Sequence, residues 1–217
     1  MPALTAAVEK QLSQIIRDRR ATPHFDSTPV SSQDLEKIVL AGLEAPSGYN
    51  LQPWRFIVVR DAEQRRRLRT AALNQEKVEQ APLMIVACGD SEAWHGEVRD
   101  EVLRISQELG YGNPGQARAK INKDFSKMTN IPMWLNRHVM IAFTHMMLMA
   151  EALGYDTAPM EGYEEEKVHA VLKIPASVRV VALLAIGRRR GDDKPYGGRL
   201  PLARTTFGEE WGKPLAL

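Results

Sequence analysis

Residues Pro46 to Phe56 read PSGYNLQPWRF. Pro46 and Pro53 bracket a loop that carries Ser47, Asn50 and Gln52. Each side-chain amide offers both a donor and an acceptor, which matches the edge of a flat heterocycle where carbonyls and ring nitrogens alternate. Ligand edges of that kind are met by polar loops held on a rigid scaffold. Downstream, RFIVVR (Arg55 to Arg60) is β-branched and bounded by Asp61, so it reads as a strand, with Trp54 as a core residue. Upstream, SQDLEKIVLAGLEA puts Leu35, Ile38, Val39 and Leu43 on one helical stripe, capped by Ser32 and stopped by Pro46 and Gly48. The loop therefore joins a helix to a strand.

Further out, Leu4, Val8, Leu12, Ile15 and Ile16 recur at helical spacing and end near Arg19 and Arg20, ahead of Pro23. A helix is expected from Ala62 to about Leu73, and a strand from Leu83 to Cys88. The chain turns polar between Trp94 and Pro132, with helical stretches at Val98 to Leu109 and Gln116 to Lys127 separated by GYGNPG. A long apolar helix with a methionine stripe follows from Met133 to Leu153, and Gly154 terminates it. Asn136, Arg137, His138, His145 and Glu151 interrupt that helix too often for a membrane span, so a buried interface helix is expected. Then come a loop, APMEGY, a helix from Glu164 to Leu172, and the strand VRVVALLAIG from Val178 to Gly187. Residues 191–217 show little periodicity.

The composition narrows the chemistry. With 217 residues the chain reads as one domain, able to bury roughly 70% of its unfolded surface without disulfides or a structural metal. Twenty-nine basic residues nearly balance 27 acidic ones, so neither nucleic acid nor a membrane is expected as a partner. Cys88 is the one cysteine, which excludes a CxxC redox or zinc motif. The five histidines lack ligand spacing, and no metal site is expected. GxSxG, P-loop and GxGxxG motifs are absent. Glu9 and Lys10 interrupt the N-terminal apolar pattern as no signal peptide would allow, which makes the cytoplasm the default compartment.

Taken together, RRATPHFD (19–26), PSGYNLQPWRF, NQEK (74–77), APMEGY and GGRLPL (197–202) resemble the FMN-dependent nitroreductases in order and spacing. The resemblance spans the chain outside about 92–132. It implies an α+β fold with a mixed, mostly antiparallel sheet flanked by helices. It also implies a domain-swapped homodimer in which residues 191–217 wrap the partner, the 133–153 helix lies at the interface, and 92–132 forms a variable lid. FMN is the implied cofactor, NADH or NADPH the electron donor, and a nitroaromatic, quinone, enone or flavin the small-molecule acceptor.

Carried over by position, Arg19, Arg20 and the backbone of Ala21 match the FMN phosphate and ribityl contacts, and Arg199 matches an arginine closing on the phosphate, ahead of Arg188. Asn74 and Lys77 match the pyrimidine end of the ring, where a cation would stabilise negative charge. Pro159, Met160, Glu161 and Gly162 match the segment beside N5. Ser47, Gly48 and Asn50, with Gln52 close behind, match a loop reaching the flavin bound mainly by the other subunit. Flavin N5 is the reactive centre, so no protein catalytic residue is expected. Trp94, Tyr111, Phe125, Met128 and Trp134 are pocket-lining candidates, and Arg118 a candidate for a 2′-phosphate. The chain departs from the family pattern at Ala21, where serine is frequent, and at Pro23, where a basic residue is frequent. A flavoprotein that does not turn over NAD(P)H, or a non-enzymatic flavin-binding protein, is the alternative reading.

Overall fold

Two strands read as uninterrupted apolar runs, and both lie in the middle of a sheet covered on its two faces. In the computed structural model, which describes residues 6–216 other than Tyr111 and side chains from Gln11 onward, these are β2 (Leu83–Asp90) and β4 (Val178–Gly187). The edge strands are β1 (Trp54–Val59) and β3 (Asp156–Met160), giving the order β1-β2-β4-β3. Every pairing is antiparallel, with Phe56 opposite Ala87, Ile85 opposite Leu184, and Thr157 opposite Ile186.

Alternation along β2 divides the core in two. Leu83, Ile85 and Ala87 face α2 (Ser32–Leu43) and α7 (Ile131–Ala152), where Ile38, Val139, Phe143 and Met146 are buried. Met84, Val86 and Cys88 face the opposite layer, built from α3 (Ala62–Ala71), α4 (Glu76–Gln80) and α8 (Glu165–Leu172) through Leu68, Val78 and Val168. A third cluster sits under the pair α5 (Gly96–Glu108) and α6 (Pro114–Phe125), around Leu51, Leu103, Ile121 and Phe125. The layers are tight where α2 crosses α7: a Cβ on Gly42 would lie 2.8 Å from Met146 Cγ. The remaining helices are α1 (Ala6–Asp18) and a single turn, α9 (Leu202–Thr205), in the otherwise irregular tail.

The structure corrects several expectations. APMEGY is not wholly loop, because Ala158 to Met160 complete β3; Pro159 hid the strand, yet an edge strand tolerates its missing N–H. The cap of α2 is Ser31, whose Oγ accepts from the Asp34 N–H at 3.0 Å, and Ser32 is the first helical residue. No pattern announced the five-residue helix α4. The sheet is antiparallel throughout its named strands, and its one parallel element is an isolated bridge between Ala21 and Thr157. Leu4 lies outside the described residues, as does the side chain of Val8. No helix among the described residues is long and apolar enough to cross a membrane.

Candidate functional site

Where α1 ends, the chain turns along the free edge of β3. The Thr22 N–H donates to the Thr157 carbonyl at 3.0 Å, which fixes Arg19, Arg20 and Ala21 beside that strand. Three polar atoms in these two segments are buried without a hydrogen-bond partner: Arg19 Nη1, Thr22 Oγ1 and Thr157 Oγ1. Buried polar groups are nearly always satisfied, which makes this corner of the chain polar beyond what its own hydrogen bonds use, and all three atoms are closed to solvent. The Arg20 guanidinium donates to the Arg17 and Arg19 carbonyls at 2.5 and 3.0 Å, and no carboxylate among the described residues pairs with it. Arg199 reaches the same neighbourhood, since its guanidinium and that of Arg20 lie 5.4 and 5.0 Å from the Tyr196 ring centroid. Arg188 instead lies over Tyr155, at 5.3 Å.

Beyond the end of β3, Gln75 Nε2 donates to the Gly162 carbonyl at 2.8 Å and ties the turn between α3 and α4 to residues 159–162. Leu73 and Asn74 take left-handed backbone in that turn, with φ of 53° and 57°. Lys77 follows, half-buried. Its pKa is lowered, first by burial and then by the charge of Lys194, and no carboxylate among the described residues forms an ion pair with it. Met160 buries its side chain in the core and offers the site only main chain, whereas Glu161 is exposed. A Cβ on Gly162 would meet its nearest neighbours, Gln75 Nε2 and Leu73 Cδ1, at 3.4 and 3.5 Å, which are ordinary contacts. The chain's own packing does not require glycine there.

The amide loop is a separate, strained cluster. Tyr49, Asn50 and Gln52 all adopt positive φ, of 56°, 55° and 47°, which costs non-glycine residues about 1 kcal/mol or more apiece. Hydrogen bonds hold the conformation: the Ser47 hydroxyl accepts from the Gln52 N–H, and His138 Nε2 accepts from the Gly48 N–H, both at 2.9 Å. Because Nε2 accepts, the imidazole proton is on Nδ1, which donates to the Trp134 carbonyl at 2.8 Å. The Tyr49 hydroxyl bonds Asp124 and accepts from Lys120 at 2.9 Å, pinning α6 to the loop. At the base, the Gln52 carbonyl accepts from Arg55, whose guanidinium pairs with Asp90 at 2.9 Å. His138→Phe keeps the ring and removes the acceptor. Leaving the Gly48 N–H unpaired costs about 1–3 kcal/mol, so the unfolding midpoint should fall by roughly 2–10 °C at this chain length. An unchanged midpoint in a thermal melt would remove His138 from the loop's support.

Ser47 and Asn50 line a cleft of about 760 Å³ with Leu103, Ile105, Leu109 and Ile121 of the α5–α6 region. Of the aromatics expected to line a pocket, Trp94 borders a separate cleft of about 1050 Å³ with Pro132 and Leu135 and also stacks on Phe125 at 5.1 Å, while Phe125 meets Trp134 edge-on at 4.9 Å, with Met128 against them. Tyr111 lies outside the described residues. Arg118 is paired with Asp100 at 3.1 Å. Burial pushes the Cys88 thiol up to about 12, which leaves it protonated and unreactive. No group of residues suited to a metal occurs among the described residues.

The sequence-predicted residues therefore form two groups. Arg19, Arg20, Ala21, Asn74, Lys77, residues 159–162 and Arg199 lie on the β3 side, while Ser47, Gly48, Asn50 and Gln52 sit ahead of β1 on the other edge, three strand spacings or about 14 Å across the sheet and displaced along the strands as well. Among the described residues no hydrogen bond links 47–52 to 19–22 or 159–162. Sequence reasoning missed Gln75 and His138, the residues that tie each group to the scaffold.

This architecture, a four-stranded antiparallel sheet between helical layers with an arginine-rich edge, has clear relatives. The chain belongs to the nitroreductase family, whose model matches residues 16–188. A Thermus thermophilus protein named NADH dehydrogenase is 34% identical over 195 residues, covering 87% of this chain and 91% of that one. A Bacillus subtilis relative bearing the provisional name NAD(P)H nitroreductase YdgI is 28% identical, over 87% of this chain and 93% of its own. A nitroreductase-type protein of Exiguobacterium sibiricum, solved in complex with FMN, superposes with a TM-score of 0.81 at 26% identity, covering 91% of this chain and 97% of that chain.

Proposed function

We propose that the chain is an FMN-dependent oxidoreductase that takes electrons from NADH or NADPH and passes them to a small oxidised acceptor as a homodimer. The observation that carries this reading is the pair of guanidinium groups, Arg20 and Arg199, that share the Tyr196 ring beside the β3 edge with no carboxylate partner among the described residues. A phosphate monoester fits that pair, since its oxygens would accept from both guanidinium groups, with Arg19 at the end of α1 beside Arg20. The solved relative with bound FMN and the nicotinamide in the names of the sequence relatives support the same assignment.

FMN, when bound, supplies a ring that accepts hydride from the nicotinamide and hands the electrons on. This chain's residues bind and tune. Arg19, Arg20 and Arg199 hold the phosphate, with the main chain of Ala21 beside them. Asn74 and Lys77 meet the pyrimidine end, where a desolvated ammonium repelled by Lys194 gains most from developing negative charge. The main chain of Pro159, Met160 and Glu161 would hold the ring, and Gly162 would leave room for its close approach. Ser47, Gly48, Asn50 and Gln52 serve the site of a second copy, because their own chain holds them at the far edge of the sheet. Apolar side chains left exposed on α1, α2 and α7, including Leu12, Ile16, Leu40 and Ile141, supply a surface for that copy, as does Trp211 in the tail. Helices α5 and α6 cover the acceptor cleft as a lid, and solvent supplies the acceptor's proton.

The test is a visible spectrum after addition of FMN and desalting, followed anaerobically by NADH and then NADPH. Retained yellow flavin that bleaches with either donor is the expected result. Retained flavin that never bleaches would limit the chain to chemistry without nicotinamide, and no retained flavin would end the reading.

A further inference from the structure

Two guanidinium groups from distant parts of the chain meet at one exposed aromatic ring. Arg20, at the end of α1, and Arg199, in the C-terminal tail, lie 5.0 and 5.4 Å from the centroid of Tyr196. Neither has a carboxylate partner among the described residues: Arg20 bonds the Arg17 and Arg19 carbonyls, and Arg199 bonds the carbonyl of Gly198. Gly198 takes left-handed backbone, φ 74°, which folds Arg199 back toward the tyrosine three residues before it. The same short segment carries Lys194, whose charge is felt at Lys77.

We propose that Tyr196 is a positioning residue that gathers Arg20 and Arg199 into one anion-binding unit before any phosphate arrives, a role that rests on the FMN reading above. Two cations brought together without an anion repel one another, and the tail has no periodic packing to oppose them. An aromatic face attracts a guanidinium through its quadrupole. Here one ring does so for both, holding the tail arginine and the helix-end arginine against the same side chain. Tyr196 is 53% exposed, so it contributes little to the core. Its hydroxyl makes no hydrogen bond among the described residues, which leaves the ring as its functional part. Binding is tightened by arginines already in place, because less conformational freedom is lost when the ligand binds.

The experiment compares FMN with riboflavin, which has the same ring and no phosphate, by fluorescence titration of wild type, Tyr196→Leu and Tyr196→Phe. Tyr196→Leu is expected to weaken FMN by about ten-fold, the scale of two exposed cation–π contacts, and to leave riboflavin unchanged. Tyr196→Phe should restore FMN affinity. Unchanged FMN affinity in Tyr196→Leu, an equal loss for both flavins, or a Tyr196→Phe variant as weak as Tyr196→Leu would each overturn the role. If wild type bound neither flavin, the FMN reading itself would fall, an outcome separate from those three.

Discussion

Arg19→Ala is expected to weaken FMN binding by about a hundred-fold while leaving the apoprotein folded. Arg19 ends α1 half-buried, with one guanidinium nitrogen enclosed and unsatisfied. A charge-assisted hydrogen bond contributes about 1.5–3 kcal/mol, and the upper part of that range is two powers of ten in affinity. The truncation creates no hole in the principal clusters, since Arg19 belongs to none of them. It also removes a half-buried charge with one unsatisfied nitrogen, so at pH low enough to keep Glu151 protonated the apoprotein's melting temperature should stay level or rise. Glu151 supplies a second readout. Its pKa is raised by burial and by nearby Asp156, and Arg19 is the group pulling it back down. A carboxyl raised in the folded state destabilises the fold as pH climbs past its unfolded value. Losing Arg19 should therefore deepen the loss of stability between mildly acid and neutral pH. Calorimetric titration with FMN decides the main claim: affinity within three-fold of wild type would place the phosphate elsewhere.

Phe143→Ala should cost about 3–5 kcal/mol, the scale for truncating a fully buried phenylalanine. Phe143 is inaccessible to solvent in the middle of α7, and it packs in the cluster formed with α2 and the sheet. That face has little slack to close over the gap, because α2 and α7 already touch through Gly42 and Met146. For a chain of this size the loss corresponds to a fall in midpoint on the order of 10 °C. Chemical denaturation of the apoprotein measures it without interference from ligand. A loss below 1 kcal/mol would mean that α7 does not pack on the sheet by this face.

Most of the scaffold was legible because its strongest elements carry strong periods. The runs around β2 and β4 and the stripe along α2 each admit one reading, and Met140, Met146, Met147 and Met149 of α7 are core or near-core as expected. What escaped depended on context. Pro159 disguised an edge strand, and α4 is too short to show a period. In the candidate site, Ser47, Asn50 and Gln52 were visible because few structural needs place two amides and a hydroxyl on one tight loop. His138 was not, since a histidine in an apolar helix declares its partner only once the helix is docked. Tyr196 was missed for a similar reason: the tail has no pattern, and only folding brings its ring to Arg20.

Gly162 separates two kinds of selection. Neither its backbone angle nor its neighbours demand a glycine, so the free chain places almost no constraint on that position. Any constraint there comes from a molecule that is not part of the polypeptide. Variant libraries sorted for yield or heat resistance should therefore accept alanine at position 162, and libraries sorted for bound flavin should return it to glycine.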